Sequence, residues 1–158
     1  MNRIETKLAG LGYELPPTPT PVAAYVPAVR TGNLVFVSGQ VPREKGELQF
    51  LGHLGGDVTL AQGQQAARLC VLNALAAVKS VAGSLDNVKR IVKLTGFVRS
   101  ANGFADQPKV MDGASTLLVE LFGDAGKHAR AAVGVNELPL CVSVELEMIV
   151  EIESEPRQ

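Results

Sequence analysis

The chain switches between two hydrophobic periods, and each switch marks an element. Ile4, Leu8 and Leu11 recur at helical spacing around residues 2–10, and Gly12 ends that pattern. Four prolines then fall within PPTPTP, residues 16–21, a stretch that can be neither helix nor central strand. It is expected to run extended over the surface and to tether the short helix to the body. Residues 23–42 read as a hairpin, with Thr31-Gly32-Asn33 as the turn and LVFVSG as the β-rich arm. Gly39 permits a bulge or a close backbone approach. Residues 43–58 are polar and glycine-rich, with room for a short strand at 47–51.

A long helix is predicted over 59–82, with Thr59 as its N-cap and Gly83 as its end. Leu60, Gln64, Ala67, Val71, Leu75, Val78 and Ala82 step along one face, and the many alanines point to close packing on a sheet. KRIVKLTGFV, 89–98, is apolar at nearly every position after Arg90 and is read as a strand covered on both faces. A second helix follows over 107–122, with Pro108 in its first turn and Val110, Ala114, Leu117, Leu118 and Leu121 as the buried stripe. Residues 128–153 read as two final strands joined by a turn at Leu138-Pro139. In the last strand Val142, Val144, Leu146, Met148, Val150 and Ile152 share one face, while Ser143, Glu145, Glu147, Glu151 and Glu153 share the other.

This order, hairpin, helix, strand, helix, hairpin, is not a doubly wound alternation. It predicts an α+β fold, one mixed β-sheet with two helices packed on one face. If helices cover one face only, the other needs a partner, most simply another copy of the chain. The 158 residues are read as a single domain, 1–22 being the N-terminal helix and tether and 23–153 the core.

Composition narrows the function by exclusion. Net charge is −1 and aromatics are 4%, which disfavours a phosphate backbone or stacked bases as ligand, so no nucleic acid is expected. The two cysteines, Cys70 and Cys141, sit in apolar runs and are read as small buried hydrophobes. The two histidines, His53 and His128, have no metal-ligand spacing, so no metal site is expected. There is no apolar leader and no run of membrane-spanning length, so the expectation is a cytoplasmic protein without membrane contact.

The most unusual chemistry lies in 128–153. Arg130 is a lone cation among small residues, and Glu145 is an acid on the strand expected beside it. A lone arginine flanked by small residues, with a carboxylate on the next strand, is an unusual use of a sheet and is read as the candidate site. The plainer reading, a strand arginine in a surface or intersubunit salt bridge, stands beside this one.

NLVFVSGQVP at 33–42, GSLDNVKRIVKLTGFV at 83–98 and HARAAVGVNELPLCVSVELEMI at 128–149 together resemble the RidA/YjgF family, also called L-PSP. The resemblance spans about residues 23–153. It implies a chorismate-mutase-like fold and a homotrimer with ligand clefts between subunits. It also implies, for one branch, cofactor-free hydrolysis of 2-imino or 2-aminoacrylate intermediates to 2-oxo acids and ammonia. Carried over by position, Arg130 would grip the substrate carboxylate, Glu145 would stand near the attacking water, Tyr25 would be a pocket tyrosine, and Ser38 and Gly39 would line the pocket. Glu145 also reads as one acid of a solvated face, Tyr25 as packing, Ser38-Gly39 as a turn, and His128 as a strand end. The chain departs from the deaminase pattern at His128, at Ala132 and in the DGAS stretch, 112–115. The leading expectation is an imine deaminase. The alternative is a non-catalytic trimeric protein that binds a small carboxylate or regulates a partner. A ribonuclease, a third reading, is opposed by charge and aromatic content.

Overall fold

A computed structural model describes residues 2–21 and 23–154. Met1 and Val22, at the bounds of the expected N-terminal unit, lie outside the described residues. The elements are α1 (Arg3–Gly10), β1 (Ala28–Thr31), β2 (Leu34–Gln40), β3 (Arg43–Glu44), β4 (Glu47–Leu48), α2 (Leu60–Ala82), β5 (Val88–Arg99), α3 (Gln107–Phe122), β6 (Ala129–Val135) and β7 (Val144–Ile152). Five strands form a mixed sheet in the order β1-β2-β7-β5-β6, and β3-β4 is a separate small ribbon. β5 and β6 are parallel; the other pairs of the large sheet are antiparallel.

The expected final hairpin is not formed. β6 and β7 flank β5 on opposite sides, so the last two strands never pair. The Leu138-Pro139 region is a crossing between them, with Pro139–Cys141 as one 3-10 turn. The sequence pattern of two adjacent strands cannot distinguish a tight hairpin from two strands separated by a third. Here β5, apolar enough to sit centrally, takes the middle place.

α2 and α3 cover one face, as expected for the chorismate-mutase-like fold. Thr59 caps α2 through a reciprocal capping box: its hydroxyl accepts from Gln62 N at 3.2 Å and its own N–H donates to Gln62 Oε1 at 3.0 Å. From Cys70 to Val78 every residue of α2 is buried, Asn73 included. Asn73 satisfies its amide on the carbonyls of Arg43 and Leu69, both at 2.9 Å. Beneath the helices lie Leu94, Val98, Val144, Leu146 and Val150, all fully buried.

Two close approaches set the height of α3. A side chain at Gly96 of β5 would overlap the Met111 sulfur, and one at Gly113 would overlap the Gln64 carbonyl oxygen of α2. α1 packs on α3 and on the turn before β5. Asp86 holds its first turn, accepting from Arg3 N at 2.8 Å and Ile4 N at 2.9 Å. These two bonds hold the Asp86 carboxyl below its usual range.

The other sheet face carries no helix. β5 there presents half-buried Val92, Thr95 and Phe97 and exposed Lys93, so within one chain it is covered on one side, not both. Val29 and Phe36 are exposed large apolar residues of β1 and β2. The sequence reading of Cys70 as buried holds, but Cys141 is exposed.

Because Gly113 meets backbone and not a movable side chain, Gly113→Ala is expected to destabilise the fold by about 1–3 kcal/mol through overpacking. Urea unfolding of the variant checks this, and a midpoint equal to the parent's would show that α2 and α3 can separate freely.

Candidate functional site

Sequence reasoning placed Arg130 beside Glu145; the structure separates them. β5 lies between their strands, and they point to opposite faces. Arg130 is in register with Leu94, a residue buried under the helices. Glu145 is in register with Phe97 on the helix-free face. The neighbouring-strand arrangement is therefore corrected: in one chain the cation and the acid do not meet.

Glu145 does meet one of the other expected residues, Gly39. β2 has an irregular register between Val37 and Gln40, opposite the 146–148 stretch of β7, which places Ser38 and Gly39 on a bulge. A Cβ at Gly39 would overlap Glu145 Oε1, so this position admits the carboxylate only as glycine. Ser38 Oγ donates to the Val26 carbonyl at 2.6 Å, and Ser38 N–H to that of Pro27 at 2.9 Å. Both bonds fix the segment that follows Tyr25. Tyr25 is exposed and lines a groove of about 310 Å³ with Ser38, Gly39 and Pro19–Pro21 of the tether. A second groove, of about 410 Å³, crosses the helix-free face along Phe36, Ser38, Thr95 and Glu147.

Burial first, then the negative charge of Glu147, pushes the Glu145 carboxyl up. Burial first, then the negative charge of Glu145, pushes the Cys70 thiol up as well.

Arg130 is organised by α3. Its Nη1 donates to Asp112 Oδ1 at 2.9 Å and to Ser115 Oγ at 3.2 Å. His128 is drawn into the same cluster: its Nε2 lies 2.9 Å from Ser115 Oγ, and its Nδ1 lies 2.6 Å from the Gly126 carbonyl. Asp112 and Ser115 were not among the expected site residues, and His128 was read as a strand end. A signal was present, since these three positions fall within the departures from the deaminase pattern. Among the described residues no group of His, Cys, Asp and Glu has the geometry to hold a metal.

Residues 5–152 match the family model described as "YjgF/chorismate_mutase-like, putative endoribonuclease". The chain belongs to the YjgF family. It is 46% identical to the solved structure of Atu1372 of Agrobacterium tumefaciens, a protein described as of unknown function; the match covers 96% of this chain and 93% of that one, with a TM-score of 0.90. Protein TCP17 of Trypanosoma cruzi is 41% identical over 95% of this chain and 94% of its own. A 2-iminobutanoate/2-iminopropanoate deaminase of Dermatophagoides farinae is 30% identical over 87% of this chain and 93% of its own. Among the described residues of this YjgF-family chain, no helix is long and apolar enough to cross a membrane.

Since the fold raises the Glu145 value, it holds the neutral acid better than the carboxylate. Well above that folded value, Glu145→Gln is expected to raise the melting temperature by a few degrees at most. The gain should shrink as pH falls through the folded value toward the ordinary carboxylate range, where the parent acid is protonated in both states. Melting curves of parent and variant from pH 4 to 8 measure it. A stability loss at pH 8 would show that the carboxylate is held by an attraction instead.

Proposed function

We propose that this protein hydrolyses small 2-imino acids to 2-oxo acids and ammonia, at sites built from two copies of the chain. The observation that carries this is the half-used fork of Arg130. Both of its hydrogen bonds leave from Nη1, and among the described residues Nε and Nη2 have no recorded partner. That free edge suits a carboxylate. The imine carbon beside it would take up water to give a carbinolamine, which then expels ammonia and leaves the ketone. A carboxyl with a raised value, such as Glu145, suits both proton movements: it takes a proton from the attacking water and returns one to the departing nitrogen. The resemblance to a named imine deaminase supports the same chemistry.

Two copies are needed on this reading because Arg130 and Glu145 face opposite sides of one sheet. The exposed Val29, Phe36 and Val133 give the helix-free face a reason to pack on a neighbour. A homotrimer would bring the Glu145 face of one subunit to the Arg130 edge of the next.

The test generates 2-aminoacrylate with a serine dehydratase in the presence of semicarbazide, which competes with water for the imine. The protein is expected to divert flux from the semicarbazone to pyruvate. Arg130→Ala should lose about 100-fold and Glu145→Gln about 10²–10⁴-fold. Unfolding the two variants together and refolding them should restore about a quarter of the sites by random mixing, because one interface in four pairs an intact Arg130 with an intact Glu145. Activity lost in both variants and not restored on mixing would place both residues in one chain's site. No diversion by the parent protein, with pyruvate still bound at Arg130, would leave a carboxylate-binding protein without turnover.

A further inference from the structure

We propose that Asp112 and Ser115 are the positioning residues of the Arg130 clamp: between them they occupy both hydrogens of Nη1, so a ligand carboxylate is gripped side-on, through Nε and Nη2, and not end-on. The inference rests on the reading of Arg130 as a carboxylate clamp.

A guanidinium carries five N–H donors in one plane and can hold a carboxylate by two parallel bonds along more than one edge. The side-on edge uses Nε and Nη2, and the end-on edge uses Nη1 and Nη2. The two edges face different directions in the guanidinium plane. Which one is used therefore decides where the carbon next to the carboxylate comes to lie. On Arg130 the choice is already made. Nη1 has two hydrogens, and it donates to Asp112 Oδ1 at 2.9 Å and to Ser115 Oγ at 3.2 Å. Nothing remains on Nη1 for a ligand. Among the described residues Nε and Nη2 have no recorded partner.

The anchor is held still from behind. Asp112 and Ser115 stand three residues apart on α3, the spacing at which two helical side chains share a face. Met111, Gly113 and Ala114 beside them are buried. Met111 sits over Gly96 of β5, and Gly113 lies against the Gln64 backbone of α2. Those contacts fix the height of α3 over the sheet, and with it the point at which Nη1 is caught. His128 Nε2, 2.9 Å from Ser115 Oγ, secures that hydroxyl from its other side.

Asp112 itself is exposed, and an ion pair with an exposed partner stabilises a fold little. Orientation is what it supplies. That matters for a small substrate, since displacing the reacting atom by about 1 Å can cost about 10²-fold in rate.

The test reads the edge directly. Full-length protein labelled with 15N-arginine is followed by NMR at the Arg130 Nε–H, identified by its loss in Arg130→Lys, with and without saturating pyruvate. A side-on carboxylate accepts from Nε–H, so this resonance is expected to move downfield in the parent. In the double variant Asp112→Ala, Ser115→Ala, pyruvate should still bind but divide between two edges, and the displacement should fall by about half or more. At least one of the two single variants should show part of that fall, which keeps the test open if the double variant does not fold. Asp112→Asn keeps an acceptor without the charge and should retain the full displacement. An undiminished displacement in the double variant, a loss in Asp112→Asn as large as in the double variant, or binding to the parent that leaves Nε–H unmoved would overturn the inference and leave the clamp standing. Pyruvate that binds Arg130→Ala as well as the parent, or does not bind the parent at all, would instead overturn the clamp reading and this inference with it.

Discussion

Two parallel strands cannot be joined by a tight turn, so the chain must leave the end of β5, cross as a helix, and return to the start of β6. That crossing is α3, and the rest of the architecture is arranged to admit it. Gly96 lets Met111 settle on the sheet, and Gly113 lets the helix close on α2. Once α3 lies there, it faces the helix-side residues of β6. Arg130 meets Asp112 and Ser115 as a consequence of topology, and its distance from Glu145 follows from the same crossing.

The helices were legible because each begins and ends on a chemical signal. Thr59 with Gln62 opens α2, Gly83 closes it, and Pro108 sits in the first turn of α3. The first hairpin was legible for the same reason, through its Thr31-Gly32-Asn33 turn. What the sequence could not show was strand order. Period-two patterns state which side chains share a face, but not which strand is the neighbour; β5 slipped between β6 and β7 without altering either pattern. The site was legible in part for the same cause. Gly39 and Glu145 come together, since a register irregularity and a glycine leave a local trace. The Arg130 cluster was half missed, because Asp112, Ser115 and His128 converge only after α3 has packed.

The two half-sites differ in kind. Around Glu145 there is burial and a second acid, Glu147, an environment that favours holding a proton. Around Arg130 there is a single acid and two neutral-capable groups whose hydrogens can be exchanged between them. On the proposed reading, one cluster serves proton transfer and the other orientation. Joining them across two chains would also keep Glu145 from neutralising the arginine before a ligand arrives.

The proline segment has a mechanical consequence. Upstream, α1 is fastened to Asp86, itself in the turn that starts β5; downstream, the chain is committed to β1. Extended proline-rich backbone advances about 3.1 Å per residue and resists compression over such a short length. Fully extended, the six residues 16–21 would span about 19 Å. The length of this segment, more than its side-chain chemistry, sets where Pro19 to Pro21 pass Tyr25. Shortening or loosening this strut would move one wall of the Tyr25 groove without touching any residue of the sheet.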